Sequence, residues 1–504
     1  MLKTDKLSKK QELIIALLLL TFGFFIRTVM LGRMPLGLNQ DEASAGYEAW
    51  ALLNYGIDRN GYSLPVLFVS WGSGQNVLYS YLAMPFIALF GLSEFSLRLP
   101  MAISGLAALL FFWLSAKKIR GQKFGLFALA FLALCPWHIM ASRWALESNL
   151  LPTFLLGGIY FCISAEDNPK YLIPASLFFG LSLYAYGTAF FFLPPFLLFA
   201  IYTLRHKLTV KALILPAFLF FVLAMPITIC QIQNVLALPA GEFLGLSIPK
   251  LTATRQGSTT ILNGGSLFSN LKNLLRILIF QRDGLPFNYS RVGGLFYFFS
   301  LPFAVLGIIL SVKQKVKSER YLFAALIISL VSSLFIISNI NRINMLWLPL
   351  CYFIALGLFE LSVSMRRLYF IPALCVVVSF MIFAYSYVND FGTGKMGAYF
   401  PGLGEAISYT EKQNPKSVYV SGKVNSPYIF VLFYGQIPPH EFIDDVRYVN
   451  PNDEFRWVRS FGKYSFGNAY YVNTDADFLI LHRSEIGERK VLEYFGQFAV
   501  CRQE

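Results

Sequence analysis

A polytopic α-helical membrane protein with a small mixed α/β domain at its C-terminal end is the fold class this sequence predicts. Three observations predict it. Only 14% of the 504 residues are charged while 56% are hydrophobic, against roughly 25% charged in an average soluble domain. The deficit lies in repeated apolar runs of about 17–22 residues, each long enough to cross a hydrocarbon core about 30 Å thick. Beyond residue 388 charge, Gly, Asn and Pro return, with short runs that read as strands.

In chain order, Lys3, Lys6, Lys9 and Lys10 place the N-terminus in the cytoplasm. The following apolar run has no small-residue cleavage site and reads as an uncleaved first span over 13–31. The run 76–92 is short and broken by Pro85. Laying it along the membrane surface puts KKIRGQK at 117–123 on the cytoplasmic side, as the positive-inside rule asks. The second span is then 99–116 and the third 124–140. The run 171–204 is too long for one span and divides at YAYGT, 184–188. RHKLTVK (205–211), KQKVKSER (313–320) and SMRR (364–367) all fall inside. Residues 231–292 form a long outer loop and NINRIN, 339–344, a short one. A last span over 368–388 leaves 389–504 outside. The sum is about eleven spans. Two domains follow: 1–388 in the membrane, with a first outer loop at 32–98, and 389–504 outside it. Strands are expected at Ser417–Val420, Tyr428–Tyr434, Ala469–Val472 and Asp477–Leu481.

Composition excludes other classes. The formal net charge of +14 belongs to short loops facing anionic lipid, and no basic fold motif speaks for nucleic acid. Five of the six cysteines lie in apolar runs, so no disulfide framework is expected. The four histidines lack metal-ligand spacing, and no metal or other cofactor is expected, although a divalent cation could share the charge work. No GxxxxGK[ST] loop is present.

The residues able to carry chemistry gather after the first span. NQDEASAGYEAW (39–50) places Asn39 three before Glu42, as in a capping box, and acids in a first turn suit the helix dipole. Neighbours on a helix point about 100° apart, so Asp41 and Glu42 cannot serve one atom; Asp41 and Glu48 share a face. Asp58 and Arg59 follow in the same loop. Other charges fall on the same side: Arg98, Arg143 with Glu147, Arg282 with Asp283, and Arg342. Each also has a plain reading. Arg98 can snorkel to headgroups, Arg143 and Glu147 can pair at i, i+4, and Arg342 can merely mark a loop. One shared cavity at one leaflet would explain them together.

The chain resembles the GT-C class of membrane glycosyltransferases, specifically the bacterial relatives of protein O-mannosyltransferases and of the aminoarabinose transferases that modify lipid A. The resemblance rests on NQDE at 39–42, YEAWALLNYGIDRNGYSLP at 47–65, LYSYLAMPFIALFGLSEFSLRLP at 78–100, HIMASRWALESNLLP at 138–152, DGLPFN at 283–288 and INRIN at 340–344. It covers about the first 350 residues. It implies a polyprenyl-phosphate-linked sugar donor and an acceptor hydroxyl on a glycan, glycolipid or protein. Transfer of a hexosyl or pentosyl group would occur at the outer face with inversion. It implies Asp41 as base, with Glu42 the alternative, and Arg98 on the carrier phosphate ahead of Arg143 and Arg342. Glu48, Asp58, Arg59, Glu147 and Asp283 are further candidates for substrate contacts. The acidic-Lys-Pro-Pro stretch of the aminoarabinose transferases is absent around Gly72–Tyr79, so that phosphate contact must differ. The competing class is a lipid or polysaccharide transporter, which would need ionisable residues deep within spans. A non-catalytic scaffold whose outer domain binds wall polymer is a third reading.

Overall fold

The structure, a computed structural model, describes residues 7–253, 266–365, 368, 370–453, 455–467 and 475–502. Helix α1 (Lys9–Thr28) opens on a capping box between Ser8 and Gln11. Next come α2 (Gln40–Tyr55), the hairpin β1 (Leu67–Ser70) and β2 (Ser73–Asn76), and α3 (Leu78–Phe90). Then follow α4 (Glu94–Arg120), α5 (Gln122–Leu134), α6 (Pro136–Ala141), α7 (Leu151–Ala165), α8 (Leu172–Ala185), α9 (Ala189–Leu204) and α10 (Val210–Val235). A second hairpin, β3 (Gly241–Phe243) and β4 (Leu246–Ile248), precedes α11 (Leu267–Phe280). The bundle closes with α12 (Ser300–Gln314), α13 (Arg320–Leu334), α14 (Trp347–Ser364) and α15 (Ile371–Phe391).

Among the described residues, six stretches are helical, long and apolar enough to cross a membrane: α1, α4, Glu147–Ala165, α10, Asn344–Ser364 and α15. Shorter apolar helices, α5, α9 and α12 among them, pack between these. In Asn344–Ser364, 78% of the residues are buried, against 22% in α1, α10 and α15. With the Glu147–Ala165 stretch 83% buried as well, the α7 and α14 stretches form the interior of the bundle, and α1, α10 and α15 turn Leu, Ile, Val and Phe toward lipid.

The expected third span, 124–140, is two helices. Pro136 has no N–H to give the Leu132 carbonyl, so the helix breaks there. The guanidinium of Arg27, reaching across from α1, donates to Leu132 O at 3.3 Å and Ala133 O at 3.2 Å. At membrane depth no water is on hand to do this.

Helix α3 stays at one end of the bundle. At its start Asn76 donates to Leu183 O near the end of α8; just past its end Arg98 pairs with Glu42 of α2. Both ends thus sit at one end of the bundle, and Ser80 ties the helix to the Ala45 carbonyl of α2. The basic loops meet at the opposite end. Lys117 pairs with Glu12 at 2.6 Å, Lys118 with Asp167, Arg120 with Glu319 at 2.5 Å, and Arg320 with Glu166 at 2.8 Å. Lys207 donates to the Glu166 carbonyl. Arg366 and Arg367 of the SMRR cluster lie outside the described residues.

The segment 231–292 is more than a loop. Its β3–β4 hairpin lies beside the first inter-span segment, with Val66 N donating to Ser247 O. Asn270 and Asn273 of α11 donate to the carbonyls of Leu334, at the end of α13, and of Ser338, beyond it.

The tail contains α16 (Leu403–Glu411), β5 (Val418–Val420), α17 (Pro427–Gly435), α18 (Pro439–Asp445), β6 (Arg447–Tyr448), β7 (Val458–Phe461), β8 (Tyr464–Phe466), β9 (Phe478–His482), β10 (Val491–Phe495) and β11 (Phe498–Arg502). Its sheet runs β10-β11-β9-β5-β8-β7-β6, with β5 parallel to both neighbours and the other pairs antiparallel. Two expected strands are seen, β5 and β9. Ala469–Val472 lies outside the described residues. The expected strand Tyr428–Tyr434 is instead helix α17. Pro427 starts it, and Pro427 through Phe433 are buried on every side, so the run carries no period to tell strand from helix.

Candidate active site

The site is built from the irregular chain between α1 and α2. Asn39 caps α2: its Oδ1 accepts from Asp41 N at 3.0 Å, and Glu42 Oε2 accepts from Asn39 N at 3.1 Å. That box turns Glu42 inward. Its Oε1 accepts from Arg98 Nε at 2.8 Å and from Ala145 N at 3.0 Å; its Oε2 accepts from Arg98 Nη2 at 2.9 Å. The remaining Arg98 donors go to the carbonyls of Leu31, Pro35 and Gly37. A guanidinium has five N–H donors, and all five are used. Gly37 must be glycine, at φ +85° with its α-carbon against the Tyr399 carbonyl.

Arg98 therefore has no donor left for a phosphate, and the expectation that it grips the carrier is corrected. It holds the backbone that presents α2. Glu42, fully buried and engaged on both oxygens, is not placed to take a proton. Arg143 is also turned onto backbone, although its Nε has no hydrogen-bond partner among the described residues. It donates to the Ile26, Val29 and Met34 carbonyls at 2.7–2.8 Å, a cation on the carbonyls that end α1. It turns away from Glu147 because the chain between them leaves the helix after Ala141.

Asp41, one residue from Glu42, points elsewhere. It is half-buried and lines a cavity of about 170 Å³ together with Trp71, Gln75, Trp144, Glu147, Tyr186 and Arg342. The elements contributing these walls are laced together. Asn344 Nδ2 donates to Ser148 O at 3.1 Å, joining the Arg342 segment to the Glu147 segment. Asp283 does not face the cavity as a ligand. Its Oδ2 accepts from Ile340 N at 3.0 Å and Asn288 Nδ2 at 2.6 Å, tying its own loop to the one that carries Arg342. Arg342 gives its backbone N–H to Asn339 Oδ1 and one Nη1 hydrogen to Ile337 O.

Glu48, Asp58 and Arg59 form a buried cluster behind the cavity and do not line it. Arg59 Nε lies 3.2 Å from Glu48 Oε1, and Arg59 N donates to Glu48 Oε2. Asp58 closes its own turn, accepting from Asn60 N and Tyr62 N. Burial pushes the Glu48 carboxyl up to about 8, against the pull of Arg59, and the Asp58 carboxyl up to about 6, against its backbone hydrogen bonds. The Arg59 guanidinium also sits 5.1 Å from the Trp71 ring and 5.9 Å from that of Tyr428 in the tail.

Sequence reasoning missed Trp71, Gln75, Trp144 and Tyr186 as cavity walls and Arg27 as a scaffold. A turn signal existed for the first two. Trp71 and Gly72 both have φ > 0 between two short strands, the geometry of a primed two-residue hairpin.

The helical bundle with its C-terminal sheet domain has the fold of the GT-C membrane glycosyltransferases. ArnT from Cupriavidus metallidurans bound to undecaprenyl phosphate aligns with a TM-score of 0.57 at 13% identity, covering 96% of this chain and 97% of that one. The apo oligosaccharyltransferase of Archaeoglobus fulgidus aligns with a TM-score of 0.51 at 12% identity, over 85% of this chain. This chain spans 64% of the archaeal protein's length. A model of the family described as dolichyl-phosphate-mannose-protein mannosyltransferase matches residues 75–229. No curated protein matches the sequence. Within the GT-C class the likeness takes in protein mannosyltransferases, ArnT and the archaeal oligosaccharyltransferase.

Proposed function

We propose that the cavity is the catalytic centre of a glycosyltransferase that moves a sugar from a polyprenyl-phosphate carrier to a hydroxyl, with inversion. The observation that carries the reading is that Asp41 and Arg342, from segments 300 residues apart, line one cavity. A solved neighbour of the same fold binds undecaprenyl phosphate and another dolichol phosphate, which supports the carrier.

In this reading Asp41 takes the proton of the acceptor hydroxyl as its oxygen bonds to the anomeric carbon. The bond from that carbon to the phosphate oxygen breaks, and the carrier departs as a phosphomonoester with one more negative charge. Arg342 meets that charge, stabilising the transition state more than the bound substrate. No divalent cation is called on. Back-side attack inverts the anomeric centre. The cavity lies at the end of the bundle opposite the basic loops, which the positive-inside rule makes the outer face.

The test is the purified chain in lipid nanodiscs with undecaprenyl-phosphate-linked sugars. Asp41→Asn keeps its fold and lowers transfer by about 10²–10⁴-fold, the usual worth of a positioned base. Transfer at the wild-type rate by that variant removes Asp41 from the mechanism. Mass spectrometry of surface glycans in a deletion strain names the sugar, through the donor that accumulates, and the acceptor, through the glycan that is lost.

A further inference from the structure

The stripe Asp41, Ser44, Glu48 runs along one face of α2, at i+3 and i+4 spacing. It faces the β1–β2 hairpin, and a chain of hydrogen bonds runs along it. Arg59, placed by Glu48, donates from Nη1 to Ser44 Oγ at 3.0 Å and from Nη2 to Ser70 Oγ at 2.6 Å. A guanidinium can only donate, so Ser44 receives on its oxygen; its single hydrogen has two oxygens in reach, Ser70 Oγ at 3.4 Å and Gln75 Oε1 at 2.8 Å, and takes the shorter bond, to Gln75. The sense of the Gln75 carboxamide is thereby set. Its oxygen faces the Arg59 cluster, and its NH₂ lies toward Asp41, whose backbone oxygen is 3.5 Å from Nε2. Gln75, only 5% exposed, lines the cavity as a donor.

Trp144 is the second observation. It is 4% exposed, lines the same cavity, and its Nε1–H has no hydrogen-bond partner among the described residues. Buried N–H groups in native proteins are nearly always satisfied, so this one suits a ligand that accepts.

We propose, resting on the reading of Asp41 above, that Gln75 and Trp144 form the sugar subsite, offering only N–H donors, and that Ser44, Arg59 and Glu48 are positioning residues that hold Gln75 in that sense. Two sources could supply the accepting oxygens, the carrier phosphate or the sugar. The neighbours decide between them. Arg342 supplies the cavity's cation for the phosphate, while Asp41 and Glu147 place carboxylates there that accept from hydroxyls. A sugar hydroxyl does both, donating to a carboxylate and accepting from an amide or indole N–H. The Trp71 indole adds an apolar face for sugar C–H groups.

The experiment uses the full chain in nanodiscs with Asp41→Asn as background, so that bound donor is not consumed. Its probes are bare undecaprenyl phosphate and the same carrier linked to mannose, glucose, N-acetylglucosamine or arabinose, whichever the wild-type chain transfers. Gln75→Ala and Trp144→Phe each weaken the sugar-linked probe by about tenfold, the worth of one buried hydrogen bond, and leave the bare carrier unchanged. Gln75→Glu, which keeps the size but loses the donors, shows the same selective loss. Ser44→Ala does too, and Ser44→Ala with Gln75→Ala is no weaker than Gln75→Ala alone, as positioning through Gln75 requires. Equal losses for both probes would move Gln75 to the phosphate; no loss would remove it from the substrate; additive losses would reduce Ser44 to packing. Should Asp41→Asn abolish transfer while Gln75→Ala binds the sugar normally, only the subsite falls. Should no linked sugar be transferred by the wild type, the reading of the whole site falls.

Discussion

Glu42 accepts from Arg98, Ala145 and Asn39 in full burial, so removing its partner strands a charge. Arg98→Ala is expected to cost about 3–5 kcal/mol, the range for breaking a buried pair, and Arg98→Lys to rescue little, because a point-charge ammonium cannot meet five acceptors. Thermal unfolding followed by tryptophan fluorescence checks this. A normally stable Arg98→Ala protein that no longer binds undecaprenyl phosphate would return Arg98 to the carrier. Glu48 gives a pH signature. Its folded pKa of about 8 lies above its ordinary value of 4.5, so the folded state holds the proton longer than the unfolded one. Stability therefore falls as pH rises from about 4.5 to about 8 and levels off above. Asp58 adds the same sign below about 6. Melting temperature should drop between pH 6 and 8, and Glu48→Gln should flatten that slope; an unchanged slope would show Glu48 ionised throughout. The opposite fates of Asp41 and Glu42 followed from the helical offset between neighbours. Which of them faced the cavity did not, because it depends on Arg98, 56 residues on in sequence.

At the scale of elements, the seam between α2 and α17 joins the tail to the bundle. Tyr47 donates to Ile437 O at 2.6 Å, Tyr434 to Glu94 Oε1 at 2.7 Å, and Arg456 N to Trp71 O at 2.6 Å. Gly46 lets the two helices close: a β-carbon there would meet the Phe433 ring at 2.6 Å and Leu97 at 3.0 Å. Gly46→Ala should destabilise by about 1–3 kcal/mol through overpacking and weaken transfer, since α2 carries Asp41. An unperturbed melting curve would show that the seam is loose. The α8–α9 break at 184–188 was legible because polar residues and Gly interrupt an apolar run. The α5–α6 break at Pro136 was overlooked, since one proline in an apolar run signals a kink as readily as an end. The α17 run could not be read, since full burial erases periodicity.

For the molecule as a whole, the basic loops converge at one end and the Asp41 cavity opens at the other, which the distribution of Lys and Arg anticipates. The orientation follows as a prediction. Lys412→Cys, on the exposed tail surface, should react with a membrane-impermeant maleimide in intact cells; labelling only after lysis would invert the topology. The tail's role was not legible. Its contacts with α2 pair residues about 390 apart, and no local pattern encodes such a pairing.

The sequence by itself determined the membrane class, the gathering of the basic loops at one end, the helix that opens at Asn39 and the kinship of its motifs. These rest on local physics: hydrocarbon thickness, charge near headgroups, and a cap three residues from its partner. Only the tertiary structure decided the division of labour among the charges. Arg27, Arg98 and Arg143 were drawn into the bundle by backbone carbonyls that no water could reach, whereas Asp41 and Arg342 were left at the cavity. A guanidinium goes where the unsatisfied oxygens are, and their positions are known only once the chain has folded.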